Sequence, residues 1–95
     1  MPTLRIEHPV PDYDAWKRAF DGDPIGRARS GVRSHRVMRS VDDPNYVLVD
    51  LEFDTIGEAE AVQAALRQMW GRVDVMREPR SRVVETVEHH DYPPR

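Results

Sequence analysis

The stretch "VRSHRVMRSVDDPNYVLVDLEF", Val32 to Phe53, decides the fold. Val32–Val41 and Tyr46–Phe53 carry β-branched and aromatic residues, and "DDPN" between them holds turn chemistry, Pro44 pre-setting the backbone. The pattern predicts a β-hairpin. In its second arm Val47, Val49, Leu51 and Phe53 alternate with Tyr46, Leu48, Asp50 and Glu52, so one face is apolar and the other mixed. A turn symmetric about Asp43–Pro44 sets Arg33 opposite Asp54, His35 opposite Glu52, Val37 opposite Asp50 and Arg39 opposite Leu48. Asp50 is then a diagonal neighbour of His35 and Arg39. Opposite charges across a strand pair stabilise by roughly 0.2–1 kcal/mol each, and a one-residue slip would lose the match.

That pairing accounts for an uneven charge distribution. Arg27 to Arg39 contains five arginines and no acid, whereas Asp42 to Glu60 contains seven acids and no Lys or Arg. The hairpin is expected to neutralise one block with the other, which weighs against a phosphate-binding role for the arginines.

Working outward, "TLRIEH" alternates with Leu4, Ile6 and His8 on one face, the signature of a strand that Pro9 and Pro11 end. Asp12 then stands at a helix N-cap, with Asp14 in the first turn, and Tyr13, Trp16 and Phe20 form one aromatic stripe. "DGDPIGRARSG" reads as a connector. Beyond the hairpin, Thr55 and Glu58 form a capping box for a second helix with an inward stripe of Ala59, Val62, Leu66, Met69 and Val73, Trp70 at its flank. "SRVVETVE" is the last strand and residues 89–95 a tail. The order strand, helix, strand, strand, helix, strand predicts one α+β domain over residues 1–88, a ferredoxin-like βαββαβ sandwich. Its four-stranded antiparallel sheet carries two helices on one face.

The bulk properties fit one small domain. The chain has 95 residues, 39% hydrophobic and 33% charged, with a net charge of −3, which does not suit a general nucleic-acid binder. No apolar run reaches membrane-spanning length and "MPTLRIEHPV" lacks signal-peptide regions, so a cytoplasmic protein is expected. The lack of cysteine excludes disulfides, thiolate metal sites and cysteine nucleophiles. "HHD" at 89–91 and "DGD" at 21–23 do not make metal sites, and no dinucleotide or phosphate loop is present. Neither a metal nor a cofactor is expected.

The sheet face away from the helices, with Val37, Val41, Tyr46 and Leu48 among charged residues, leaves two readings open: a wet face, or one packed on a second copy. "VPDYDAWKRAFD", a Gly-bounded strand and "RSVDDPNYVLVDLEFDTIGEAEA" together resemble the dimeric α/β-barrel superfamily, in particular its small antibiotic-biosynthesis-monooxygenase-like and cyclase-like proteins. The resemblance covers about Thr3 to Val87. It implies a homodimer with two sheets face to face, and a cofactor-free monooxygenase or cyclase acting on a small aromatic or polyketide-like molecule. The alternative is a non-catalytic dimeric module that binds a metabolite or a protein. Haem-degrading relatives use an Asn, Trp and His set, and the first strand here has no Asn.

Each candidate residue has a structural alternative. His8 ends the first strand on the helix-facing side, as a general base or as a residue satisfying a helix terminus. Arg36, expected beside Leu51 on the apolar face, could clamp an oxyanion or snorkel from a sheet edge. Trp16 and Trp70, with Tyr13, are candidate walls for a flat ligand, or simply core. His35 facing Glu52 with Asp50 nearby is either an acid–base pair or an ion pair of the dimer interior.

Overall fold

Alternation at the start of the chain becomes strand β1 (Pro2–Pro9), whose Leu4, Ile6 and His8 are buried on one face. The computed structural model describes residues 1–71 and 79–94. Helix α1 (Tyr13–Asp21) begins as its capping residue dictates: Asp12 is extended, and its carboxylate accepts the Ala15 N–H at 3.1 Å. The connector after it turns at Asp23 (φ 53°) and Gly31 (φ 96°). The positive φ at Gly31 is what favours glycine there, and a Cβ would also press on the Glu58 carboxylate at 2.5 Å and force that side chain to swing away. Strands β2 (Ser34–Arg39) and β3 (Tyr46–Glu52) follow, then helix α2 (Ile56–Trp70) and strand β4 (Arg80–Glu85). β4 ends before the sequence-based expectation.

Thr55 caps α2 by accepting the Glu58 N–H at 3.1 Å. The expected capping box is only half formed, because the Glu58 carboxylate accepts the Thr55 hydroxyl instead of reaching its backbone N–H. All strand pairings are antiparallel, in the order β2-β3-β1-β4. This is the ferredoxin-like α+β arrangement. Leu4, Ile6, Val49, Leu51 and Phe53 form the core with Ala59, Val62 and Leu66 of α2, and Trp16 and Phe20 of α1 pack against it. Val73, expected in the α2 stripe, lies outside the described residues.

The β2–β3 register differs by one residue from the expected one. His35 faces Leu51, Arg36 faces Asp50, Val37 faces Val49 and Met38 faces Leu48. Asp43 is the pivot: its carbonyl accepts the Tyr46 N–H at 3.0 Å and its carboxylate the Asn45 N–H at 3.0 Å, while the Ser40 N–H reaches the Tyr46 carbonyl at 2.9 Å. Because side chains alternate, this slip turns all of β2 over. His35 and Val37 join the helix-facing side, and Arg36 and Met38 go to the other.

On the outer face, Arg36, Asp50, Arg5 and Arg82 form one row across the sheet, and Met38, Leu48, Glu7 and Arg80 the next. Arg5 donates from Nε and Nη2 to the two Asp50 oxygens at 2.9 and 2.8 Å, and Asp50 raises the guanidinium pKa. Thr3 donates to Glu52 and the Tyr46 hydroxyl to Glu7, both at 2.8 Å. Of the two charge blocks, Arg33 lies 3.8 Å from Asp54, with both side chains exposed, while Asp50 is engaged by β1.

Candidate functional site

A cavity of about 490 Å³ opens between the helices and the inner face of the sheet. Ile6, Val49 and Leu51 line it from the sheet, Leu66, Met69 and Trp70 from α2, and Trp16 and Phe20 from α1. Among the described residues the lining is apolar apart from His8, Asp12 and Arg27. Asp12 is already committed to capping α1.

His8 is 2% exposed. Its Nδ1 lies 3.2 Å from the Pro9 carbonyl oxygen. A carbonyl can only accept, so Nδ1 carries the proton and the neutral ring presents Nε2 as a bare acceptor. Among the described residues Nε2 has no hydrogen-bond partner, and no buried side-chain nitrogen is sealed off without one, so Nε2 is open to the cavity that His8 lines. Burial pushes the imidazole below its ordinary value, the Pro9 carbonyl opposing in part. A neutral base therefore sits in an apolar chamber at neutral pH.

An aromatic run leads away from it. The His8 and Trp16 rings meet edge to face at 6.1 Å, and Trp16 stacks on Phe20 at 5.1 Å. The Arg27 guanidinium covers Phe20, its carbon 3.9 Å from the ring centre. Arg27 also donates from Nη1 to the Phe20 carbonyl at 2.9 Å.

Of the expected site residues, His8, Trp16 and Trp70 share this cavity. Tyr13 is beside it, 5.9 Å from Trp16 and under the Arg39 guanidinium at 4.4 Å, but does not line it. Arg36 is not in the lining: the register places it on the opposite face, across from Asp50. The His35–Glu52 pairing does not form, for the same reason. His35 is exposed and lies edge-on to Phe20 at 5.3 Å, Glu52 is bonded by Thr3, and Asp50 by Arg5. Arg27 was missed because it belongs to a connector without periodicity. The one local signal was Asp23 four residues earlier, whose carboxylate accepts the Arg27 N–H at 2.8 Å and fixes the turn.

No helix among the described residues is long and apolar enough to cross a membrane. No protein-family model matches the chain, and no curated protein matches it significantly. Solved structures do. A provisionally named antibiotic biosynthesis monooxygenase from Deinococcus radiodurans superposes with a TM-score of 0.70 at 14% identity, covering 99% of this chain and 100% of the other. SnoaB, a cofactor-independent oxygenase from Streptomyces nogalater, solved as a point mutant, gives 0.71 at 15%, with 93% and 94% covered. A further provisionally named monooxygenase, from Nitrosomonas europaea, gives 0.67 at 18%, with 90% and 89% covered. At these identities the likeness concerns architecture, and the chain shares the ferredoxin-like α+β fold of antibiotic-biosynthesis-monooxygenase-like proteins.

Proposed function

We propose that this chain is a cytoplasmic, homodimeric α/β-barrel protein that acts without a cofactor, as a monooxygenase or cyclase, on a small aromatic or polyketide-like molecule. The observation that carries the reading is the apolar cavity holding a buried His8 whose Nε2 has no hydrogen-bond partner among the described residues. The fold shared with SnoaB supports it. Trp16 and Phe20 would hold a flat substrate, with Trp70 closing the far wall. Proton transfer from a phenol or enol to Nε2 leaves an electron-rich anion, which either passes electrons to dioxygen or closes a ring by attack on its own carbonyl. The apolar walls would limit the water able to reprotonate that anion before it reacts. The mixed outer face of the sheet would seat the second copy, as the resemblance implies.

Aromatic hydroxy-compounds screened for oxygen uptake test the enzyme reading. Uptake lost in His8→Ala, with the variant still folded, supports it. Binding without oxygen uptake or a cyclised product points to the second reading, a dimeric metabolite-binding module. One observation favours that alternative: among the described residues His8 is backed by its neighbour's carbonyl alone, with no carboxylate to raise its basicity.

A further inference from the structure

Arg27 is a half-buried cation with donors that no described residue takes. Its side chain is 15% exposed, and Asp23, the acid it pairs with among the described residues, stands 3.6 Å from Nη1 and is 38% exposed. Nη1 is occupied by the Phe20 carbonyl, while among the described residues Nε and Nη2 donate to nothing. That edge of a guanidinium is the one that grips a carboxylate with two parallel bonds, as Arg5 does to Asp50 on the other side of this sheet. Stacking on Phe20 holds the plane of the group, so the fork is preorganised. Among the described residues no buried side-chain nitrogen lacks a partner, so these two donors are open, and a ligand carboxylate can take them in place of water.

The position matters as much as the charge. His8 and Arg27 sit at the two ends of the aromatic run through Trp16 and Phe20, and among the described residues they are the two polar side chains of the lining not consumed by capping. We propose that Arg27 is the anion-binding residue of this cavity, and that its ligand is a flat aromatic or polyketide-like molecule carrying a carboxylate at the end remote from its ionisable hydroxyl or enol. This rests on the reading of the cavity as a ligand site. The hydroxyl end meets His8 and the carboxylate end meets the Nε–Nη2 edge, which fixes the orientation of a molecule that apolar walls alone would leave free to reverse.

Calorimetric titration with 6-hydroxy-2-naphthoate, its methyl ester and 2-naphthol tests the assignment. Wild-type protein is expected to bind the acid at least about tenfold more tightly than the ester, as a two-pronged charged pair implies. In Arg27→Gln that preference disappears while ester affinity is retained, and Arg27→Lys restores it only in part. Equal affinity for acid and ester in the wild type, or an undiminished preference in Arg27→Gln, overturns the assignment. The wild-type comparison needs no variant and decides the matter even if the substitutions disturb the connector. If ester and naphthol bind without a carboxylate preference, the Arg27 assignment alone fails; if no probe binds, the ligand-site reading fails with it.

Discussion

Removing the Arg5–Asp50 pair should measure how much the outer face of the sheet contributes to stability. The contact is two-pronged at 2.9 and 2.8 Å, and its partners are unequally placed: the Asp50 side chain is 8% exposed and that of Arg5 53%. A fully exposed pair would contribute about 0.2–1 kcal/mol, and a hydrogen bond to a buried charged group about 1.5–3 kcal/mol. With the acid buried and half of the guanidinium in water, screening discounts the upper figure, leaving a coupling of about 1–2 kcal/mol. The assay is a double-mutant cycle of Arg5→Met, Asp50→Asn and the double variant, followed by urea unfolding at low salt. Asp50→Asn alone should cost more than Arg5→Met, because Asp50 carries the burial. A coupling below about 0.5 kcal/mol, the usual scatter for independent sites, would refute the reasoning and make the pair ornamental.

Two further outcomes follow from the geometry. The imidazole of His8 is held below its ordinary 6.5 by burial, so the unfolded chain binds the proton more readily than the native one. Stability should therefore decline as pH falls through about 6.5 and level off below the native value; urea midpoints across this range should show a smaller decline in His8→Leu, and equal slopes would contradict it. If the outer face seats a second copy, Leu48→Arg, at the centre of the Met38–Leu48–Glu7–Arg80 row, should convert a dimer to a protomer in sedimentation; a wild-type chain that runs as a protomer at high concentration removes the dimer from the proposal.

Most of the architecture was legible from the sequence because the strongly patterned elements carry their own phase. Val47, Val49 and Leu51 in β3, and Leu4 and Ile6 in β1, offer a sharp contrast between faces, and Asp12 and Thr55 mark helix starts by their capping chemistry. β2 has no such contrast. "SHRVMR" places polar or charged residues on both faces, so its phase is set by the turn, and the turn pivots on Asp43 through hydrogen bonds that composition does not reveal. One residue of error there moved Arg36 out of the cavity and His35 into contact with Phe20. His8 and Trp16 were recoverable because each belongs to a periodic element. Arg27 was not, because its place depends on a connector folding back over Phe20, which is a tertiary event.

Helix α1 has no fully buried residue of its own, although Trp16 and Phe20 point toward the sheet. It roofs a hollow where most amphipathic helices rest on solid core. An occupant of that hollow would therefore become part of the hydrophobic interior, supplying contacts that the polypeptide leaves unmade. Binding and tightening of the fold would then be a single event, with the guest serving as the missing keystone of its own container.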